Sequence, residues 1–413
     1  MAFLSGTVSF SRLSVVGGSP KRLDQRLLDK LKNRLVGGKG AARAGDEEVG
    51  WIGGRHLLDR EFDTDKNIIL ECLHFGMRID GSRVPADLMY AYLQMELDSL
   101  IGSAAHDRAS AADGEGNGRR QSRARLVEQA RSAARDRAAQ EIKQGRFRSS
   151  RQVPILWDTR DDILYVGSTQ PASLERLHPL FRETFDRKLE PMTAGALAYR
   201  WAEAHGVSRR IENLGPAKLV PHPSGNGHID VYWTSGDSAS RDYLGNEFLL
   251  WLWYTLTEES DTIRLGDHDE AAVVMVKQLL LECPWAETGK ELITCDGPTS
   301  LPESRRAIQT GKLPRKAGLM VSRGGEQYEF ILQAESMNVT SAALPKPERN
   351  GNGHRDAPAG SAATERADVE ERVAQIRDLA ETLDGLFSAF LQLRLSDDWG
   401  VERESIRAWL TGL

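Results

Sequence analysis

Residues 144–168 read QGRFRSSRQVPILWDTRDDILYVGS, and the two halves of this stretch call for different structures. PILW and ILYVG are short runs of β-branched and aromatic residues, and DTRDD between them is turn chemistry, so the second half predicts a β-hairpin. The first half sets Arg146, Arg148 and Arg151 around a single aromatic, Phe147, directly ahead of a buried strand. A chain of 413 residues with a formal net charge of −6 carries its most basic segment here.

Upstream, from Arg119 to Arg151, eleven Lys/Arg stand against Glu128, Asp136 and Glu141, a local excess of eight positive charges. Alanine is frequent and no proline interrupts before Pro154, so residues 121–143 are expected to be helical. The large apolar residues there are Leu126, Val127 and Ile142, which predicts a helix with little to bury. Charge of one sign lacks the i,i+4 pairing of an ordinary solvated helix, and a polyanion such as DNA relieves it through counterion release. A phenylalanine at an exposed tip can wedge or stack between base steps while arginines hold phosphates. The candidate DNA contacts are therefore Arg119, Arg120, Arg123, Arg125, Arg131, Arg135, Lys143, Arg146, Phe147, Arg148 and Arg151.

Outward from this segment the pattern is mixed. GTVSFSRLSVVG alternates as a first strand with a phase slip near Arg12, and DQRLLDKLKNRL sets Leu27, Leu28, Leu31 and Leu35 on one helical face. NIILECLHFGMRI (67–79) reads as one strand, and Pro85 opens a helix through LMYAYLQMELDSLIG. Residues 103–118 are small and polar and read as a loop. Helices are expected over 171–186, 193–206 and NEFLLWLWYTLTEES, the last bounded by Gly245 and Ser260, with Phe248, Trp251, Leu252 and Leu256 forming a core stripe rather than a base-stacking platform. GLMVSRGGEQYEFILQAESMNV predicts a hairpin turning at Arg323-Gly324-Gly325. PKPERNGNGHRDAPAGSAA has linker composition, and Val373, Ile376, Ala380, Leu383, Phe387 and Phe390 recur at near-heptad spacing, so the C-terminal helix is expected to pack along a partner helix.

The expected fold class is α+β, multi-domain, with mixed and antiparallel sheets. The expected divisions are an N-terminal unit (1–104), a basic helical finger (105–150), a hairpin-and-helix unit (151–215) and an inserted region with the aromatic helix (216–300). A basic strand entry with its hairpin (301–343), a linker (344–366) and a C-terminal helical segment (367–413) follow.

Several function classes find no support. Cys72, Cys283 and Cys295 are too scattered for a disulfide framework or a zinc site and read as buried thiols of a reducing compartment. No run of apolar residues is long enough to span a bilayer, and MAFLSGTVSFSRL lacks signal-peptide character, so the expected location is cytoplasmic. There is no phosphate-binding glycine loop and no G-x-S-x-G elbow, and GWIGGRH reads as a structural turn. Asp63, Asp65 and Glu71, and Asp267, His268, Asp269 and Glu270, are the carboxylate groups a metal-dependent nuclease would need, but both sets fall mainly in expected loops. His222, His228 and Asp230 are loosely spaced. The expectation is a non-enzyme with no cofactor and no metal.

SFSRLS in the first strand, VPADLMYAYLQMELDSL, GRFRSSRQVPILWDTRDDILYV and IQTGKLPRKAGLMV occur in an order that resembles the RdgC family of recombination-associated DNA-binding proteins. The resemblance implies an α+β homodimer that closes into a ring and passes double-stranded DNA through its hole without sequence preference. It also implies a nucleoid-associated protein that restrains strand exchange by RecA, a further expected partner. On this resemblance Phe147 falls at the tip of a finger, and Lys312 and Lys316, with Arg315 between them, fall among basic residues facing the ring's interior. The chain departs from the family in using arginines along the finger helix and in carrying residues 216–290 and 344–366 as additions. Two alternatives stand beside this reading: a metal-dependent exonuclease, and a protein-interaction module that pairs through its C-terminal helix.

Overall fold

The computed structural model describes residues 3, 5–38, 42–44, 47–82, 84–110, 123–220, 240–266, 269–285, 288–298, 302–345 and 362–411. Arg119, Arg120, the His222, His228 and Asp230 group, Asp267, His268 and most of the expected linker lie outside these residues.

In chain order the elements are β1 (Val8–Val16), α1 (Gln25–Lys32), β2 (Ala42–Ala44), β3 (Glu47–Ile52), α2 (Thr64–Asn67), β4 (Ile68–Ile69) and β5 (Cys72–Ser82). Two long helices, α3 (Ala86–Ser110) and α4 (Arg123–Lys143), lead to β6 (Arg148–Asp158), β7 (Ile163–Val166) and α5 (Pro171–Phe185). Next come β8 (Lys188–Pro191), α6 (Ala194–Ala204), α7 (Ser208–Glu212), α8 (Tyr243–Glu258), β9 (Thr262–Arg264), β10 (Glu270–Glu282) and β11 (Lys290–Pro298). The described chain ends with α9 (Pro302–Gln309), β12 (Leu313–Arg323), β13 (Glu326–Gln333), β14 (Val339–Ala343), α10 (Ala362–Arg394) and α11 (Trp399–Thr411). The fold is α+β, with antiparallel strand pairing. The chain divides into a larger unit (1–32, 52–77, 153–413) and a smaller one (33–51, 78–152).

In the larger unit the strands run in the order β11-β10-β12-β13-β14-β1-β7-β6-β5. The first part of β1 pairs with β14 (Phe10↔Val339), and the second part pairs with β7 (Leu13↔Leu164) and β8 (Val15↔Leu189). The phase slip in SFSRLS marks this handover, since Ser11, Arg12 and Leu13 are all buried in succession. The β12–β13 hairpin closes with Arg323 opposite Glu326, and Gly324 and Gly325 supply the two left-handed residues that such a turn requires.

Helix α8 is buried on all sides from Tyr243 to Thr255, as expected for a helix apolar around its whole circumference. It packs on β12 and against α10, with Phe248 5.3 Å from Phe387 and Trp251 5.6 Å from Phe390 between ring centres. Gly245 does not bound this helix. It lies in its first turns, because a Cβ there would stand 1.9 Å from the Ala334 carbonyl oxygen. The α10 stripe from Val373 to Phe390 is fully buried within the larger unit, so the expected partner helix is α8 of the same chain and the stripe needs none from a second copy.

The polar side of α10 is held by ion pairs. Arg12 of β1 meets Asp384 at 2.8 Å, Arg377 donates through Nε and a terminal nitrogen to Asp158 of β6, and Arg323 and the Tyr328 hydroxyl both donate to Asp378. Two motifs that carried the family resemblance, the arginine of SFSRLS and the aspartate after Trp157, are thus structural fasteners of the C-terminal helix.

Other expectations are revised. Residues 67–79 form a hairpin, with Leu70 (φ 47°) and Glu71 (φ 62°) in a left-handed two-residue turn between β4 and β5. Neither is a glycine or asparagine, so hydropathy carried no sign of the turn. Helix α1 stops at Lys32, and Leu35 instead bridges to Trp51. Helix α3 extends through Ser110 rather than ending near 103, and α10 begins at Ala362, inside the expected linker, because alanine-rich polar sequence is helix-competent once a neighbouring turn is nucleated. Cys72 and Cys283 are buried and in no disulfide, whereas Cys295 on the edge strand β11 is only half-buried.

Candidate nucleic-acid interface

The smaller unit joins strands β2 and β3 and the adjoining ends of β5 and β6 to the pair α3 and α4. Helix α4 has more to bury than its large side chains suggest. Leu126, Ala130, Ala134 and Ala138 recur every fourth residue and all are buried, and Tyr92, Leu88, Met89 and Leu93 of α3 pack around the two later alanines. Small residues at this spacing let one helix nest its i±4 ridge close against another. Charges are also matched across the seam: Arg137, absent from the sequence-derived set, lies 3.7 Å from Glu96 and stacks 4.8 Å above the Tyr92 ring.

The end of α4 is built by its cap. The Gly145 N–H donates to the Ile142 carbonyl (2.8 Å) and the Arg146 N–H to the Glu141 carbonyl (3.0 Å), the paired bonds of a Schellman motif, with Gly145 left-handed at φ 82°. Phe147 follows in the same region at φ 61°, which L side chains rarely adopt, and the chain then enters β6. The Phe147 ring is half-buried at this turn, not fully exposed, with Arg146 and Arg148 exposed on either side.

Arg125, Arg131, Arg135, Lys143, Arg146, Arg148 and Arg151 are all exposed. Arg123 opens α4, and its side chain lies outside the described residues. Arg131 pairs loosely with Glu128 (3.7 Å) and Arg146 with Glu141 (3.5 Å). Arg125, Arg135, Lys143 and Arg148 have no ion-pair partner among the described residues. At the start of β6, Ser149 donates to the Gly81 carbonyl and Arg78 to the Ser150 hydroxyl, which fixes the strand carrying these charges.

Lys312, Arg315 and Lys316 belong to the larger unit, and two of the three spend their charge inside it. Arg315 donates to Glu282 (2.8 Å) and Glu335 (3.1 Å), and Lys312 pairs with Glu291 (3.4 Å). Burial works to raise the Glu282 carboxyl, but hydrogen bonds from Arg315 and Lys290 outweigh it and hold it below the usual carboxylate range. Lys316 is half-buried on β12 between Leu280 and Gln333.

Those of the carboxylates considered for a metal that lie among the described residues do not converge. Asp63 caps α2 through the Asp65 N–H, Glu71 sits in the β4–β5 turn, where its carbonyl accepts from Thr159, and Asp269 pairs with Arg323. Among the described residues no group of three or more His, Cys, Asp or Glu side chains is placed to hold a metal ion, and no helix is long and apolar enough to cross a membrane. No protein-family model matches the chain, and no curated protein matches it either.

Proposed function

We propose that this protein binds double-stranded DNA through its smaller unit, without sequence preference and without catalysis, and modulates RecA-dependent homologous recombination. The observation that carries the DNA reading is a set of exposed cations, Arg125, Arg135, Lys143 and Arg148, that no carboxylate neutralises among the described residues. Phosphate contacts of this kind supply affinity but no sequence information. The left-handed turn at Phe147 presents one aromatic between two exposed arginines, the composition of a wedge flanked by phosphate anchors. By the same criterion Lys312 and Arg315, already paired, are weaker candidates than Arg125, Arg135, Lys143 and Arg148. The role in recombination, the homodimer and the ring rest on the resemblance to the RdgC family, since the α10 stripe no longer asks for a partner.

Titration of fluorescent duplexes of unrelated sequence at several salt concentrations tests the binding. Arg146→Ala with Arg148→Ala should weaken all sequences equally and lower the salt slope by about one to two units, at about 0.9 per lost phosphate contact. An unchanged slope would remove the tip from the interface. Sedimentation over a wide concentration range tests the assembly, and a concentration-independent monomer would end the ring model.

A further inference from the structure

We infer that Glu141 is an internal competitor for phosphate at the DNA-binding tip, occupying Arg146 in the free protein and releasing it when a duplex arrives. This rests on the DNA reading above and concerns how the site is regulated. Glu141 lies in the last turn of α4, where the helix dipole disfavours a carboxylate, so local helix stability does not call for an acid here. Two contacts hold it nonetheless. The Tyr92 phenol lies beside its carboxylate, which raises the phenol above its usual range, and the Arg146 guanidinium stands 3.5 Å away.

The helix cap brings these partners together. The Schellman bond runs from the Arg146 N–H to the carbonyl of Glu141 itself, so the same turn that aims Arg146 outward keeps the acid beside it. The two side chains differ in exposure: Glu141 is 15% exposed, beside Tyr92, whereas Arg146 is 63% exposed. Tyr92 is in turn packed against Ala134 and Ala138 and covered by Arg137, so the acid is anchored to the seam between the helices. A phosphate oxygen can offer Arg146 a charge-assisted hydrogen bond where Glu141 offers a loose ion pair at 3.5 Å. Binding therefore exchanges one anion for the other at Arg146, while Glu141 stays beside Tyr92 and reclaims the arginine on release. The consequence is weaker, more readily reversed contact at the tip than the arginine count implies.

The test is duplex affinity by fluorescence anisotropy for wild type, Glu141→Gln, Arg146→Ala and the double variant, with melting temperatures read alongside. Glutamine keeps the size and an acceptor for Tyr92 but removes the charge. Because Arg146 is solvent-screened, Glu141→Gln should tighten binding roughly two- to five-fold at low salt, and this gain should vanish in the Arg146→Ala background. Affinity equal to or below wild type would overturn the inference, and so would a gain that persists without Arg146, which would be an effect of net charge alone. Should Glu141→Gln not fold, Glu141→Asp retains the charge but withdraws it by one methylene from Arg146. Tighter binding is again expected, and equal or weaker binding again overturns the idea. A wild type that ignores duplex DNA would remove both the DNA reading and this one. Binding that depends on Arg146 but is indifferent to residue 141 would remove this one alone.

Discussion

Replacing Phe147 by glycine separates the tip's role in binding from any role in folding. The residue sits at φ 61° with its ring half-buried. A left-handed backbone costs a side-chain-bearing residue about 1–2 kcal/mol, and glycine recovers most of that. Against the gain, a half-buried ring forfeits about 1 kcal/mol of transfer energy, and glycine's extra freedom in the unfolded chain costs about 0.5–1 kcal/mol. The terms nearly cancel, so Phe147→Gly should melt close to wild type. Phe147→Ala, which loses the ring but keeps the strained backbone, should be about 1 kcal/mol less stable. Binding should follow a different order. If the ring stacks on a base, both variants lose about 1–3 kcal/mol of affinity, roughly five- to 150-fold, while the salt slope stays near wild type because no phosphate contact is lost. Paired urea melts and anisotropy titrations read both quantities on the same preparations. A stability loss of about 3–5 kcal/mol in both variants, the cost of deleting a core phenylalanine, would refute the reasoning. Affinity unchanged in both would refute it equally.

Asp158 is fully buried beneath Arg377. Asp158→Ala should lower the unfolding free energy by about 3–5 kcal/mol in urea, because it strands a charge, and a loss under about 1 kcal/mol would mean the pair behaves as a solvated one. At the seam of α3 and α4, Ala134→Leu overpacks a site in contact with Tyr92 and should cost about 1–3 kcal/mol together with duplex affinity; a stable variant with full affinity would contradict the close packing. His74 is buried, with no hydrogen-bond partner for its Nε2 among the described residues, and burial first and the Lys66 ammonium second push its imidazole down to about 4. The unfolded chain takes up a proton below about pH 6.5 that the folded protein refuses, so this contribution is complete above that pH and falls by about 2 kcal/mol by pH 5. Glu335 and Glu402, both raised by burial, act with the opposite sign. The comparison is therefore His74→Gln in the same buffers, and an unaltered pH dependence would rule the imidazole out.

The sequence by itself determined the features written in local periodicity and turn chemistry. The DTRDD and Arg323-Gly324-Gly325 turns, the aromatic core helix and the basic helix all appear where 2-residue and 3.6-residue repeats placed them, because those patterns depend on neighbours a few positions away. The concentration of arginines ahead of the β6 strand was equally plain. What only the tertiary structure decided is which charges are spent and which are available. Arg12 and Arg315 look no different in sequence from Arg125 and Arg148, yet the first two are paired to acids 372 and 33 residues away and the others point to solvent. Pairing across such distances follows from the strand order and the docking of α10, which no local window contains. The Leu70-Glu71 turn, the left-handed Phe147 and the alanine seam escaped for a related reason. Each uses a residue type with no strong local preference for its role, and the surrounding packing imposes the conformation.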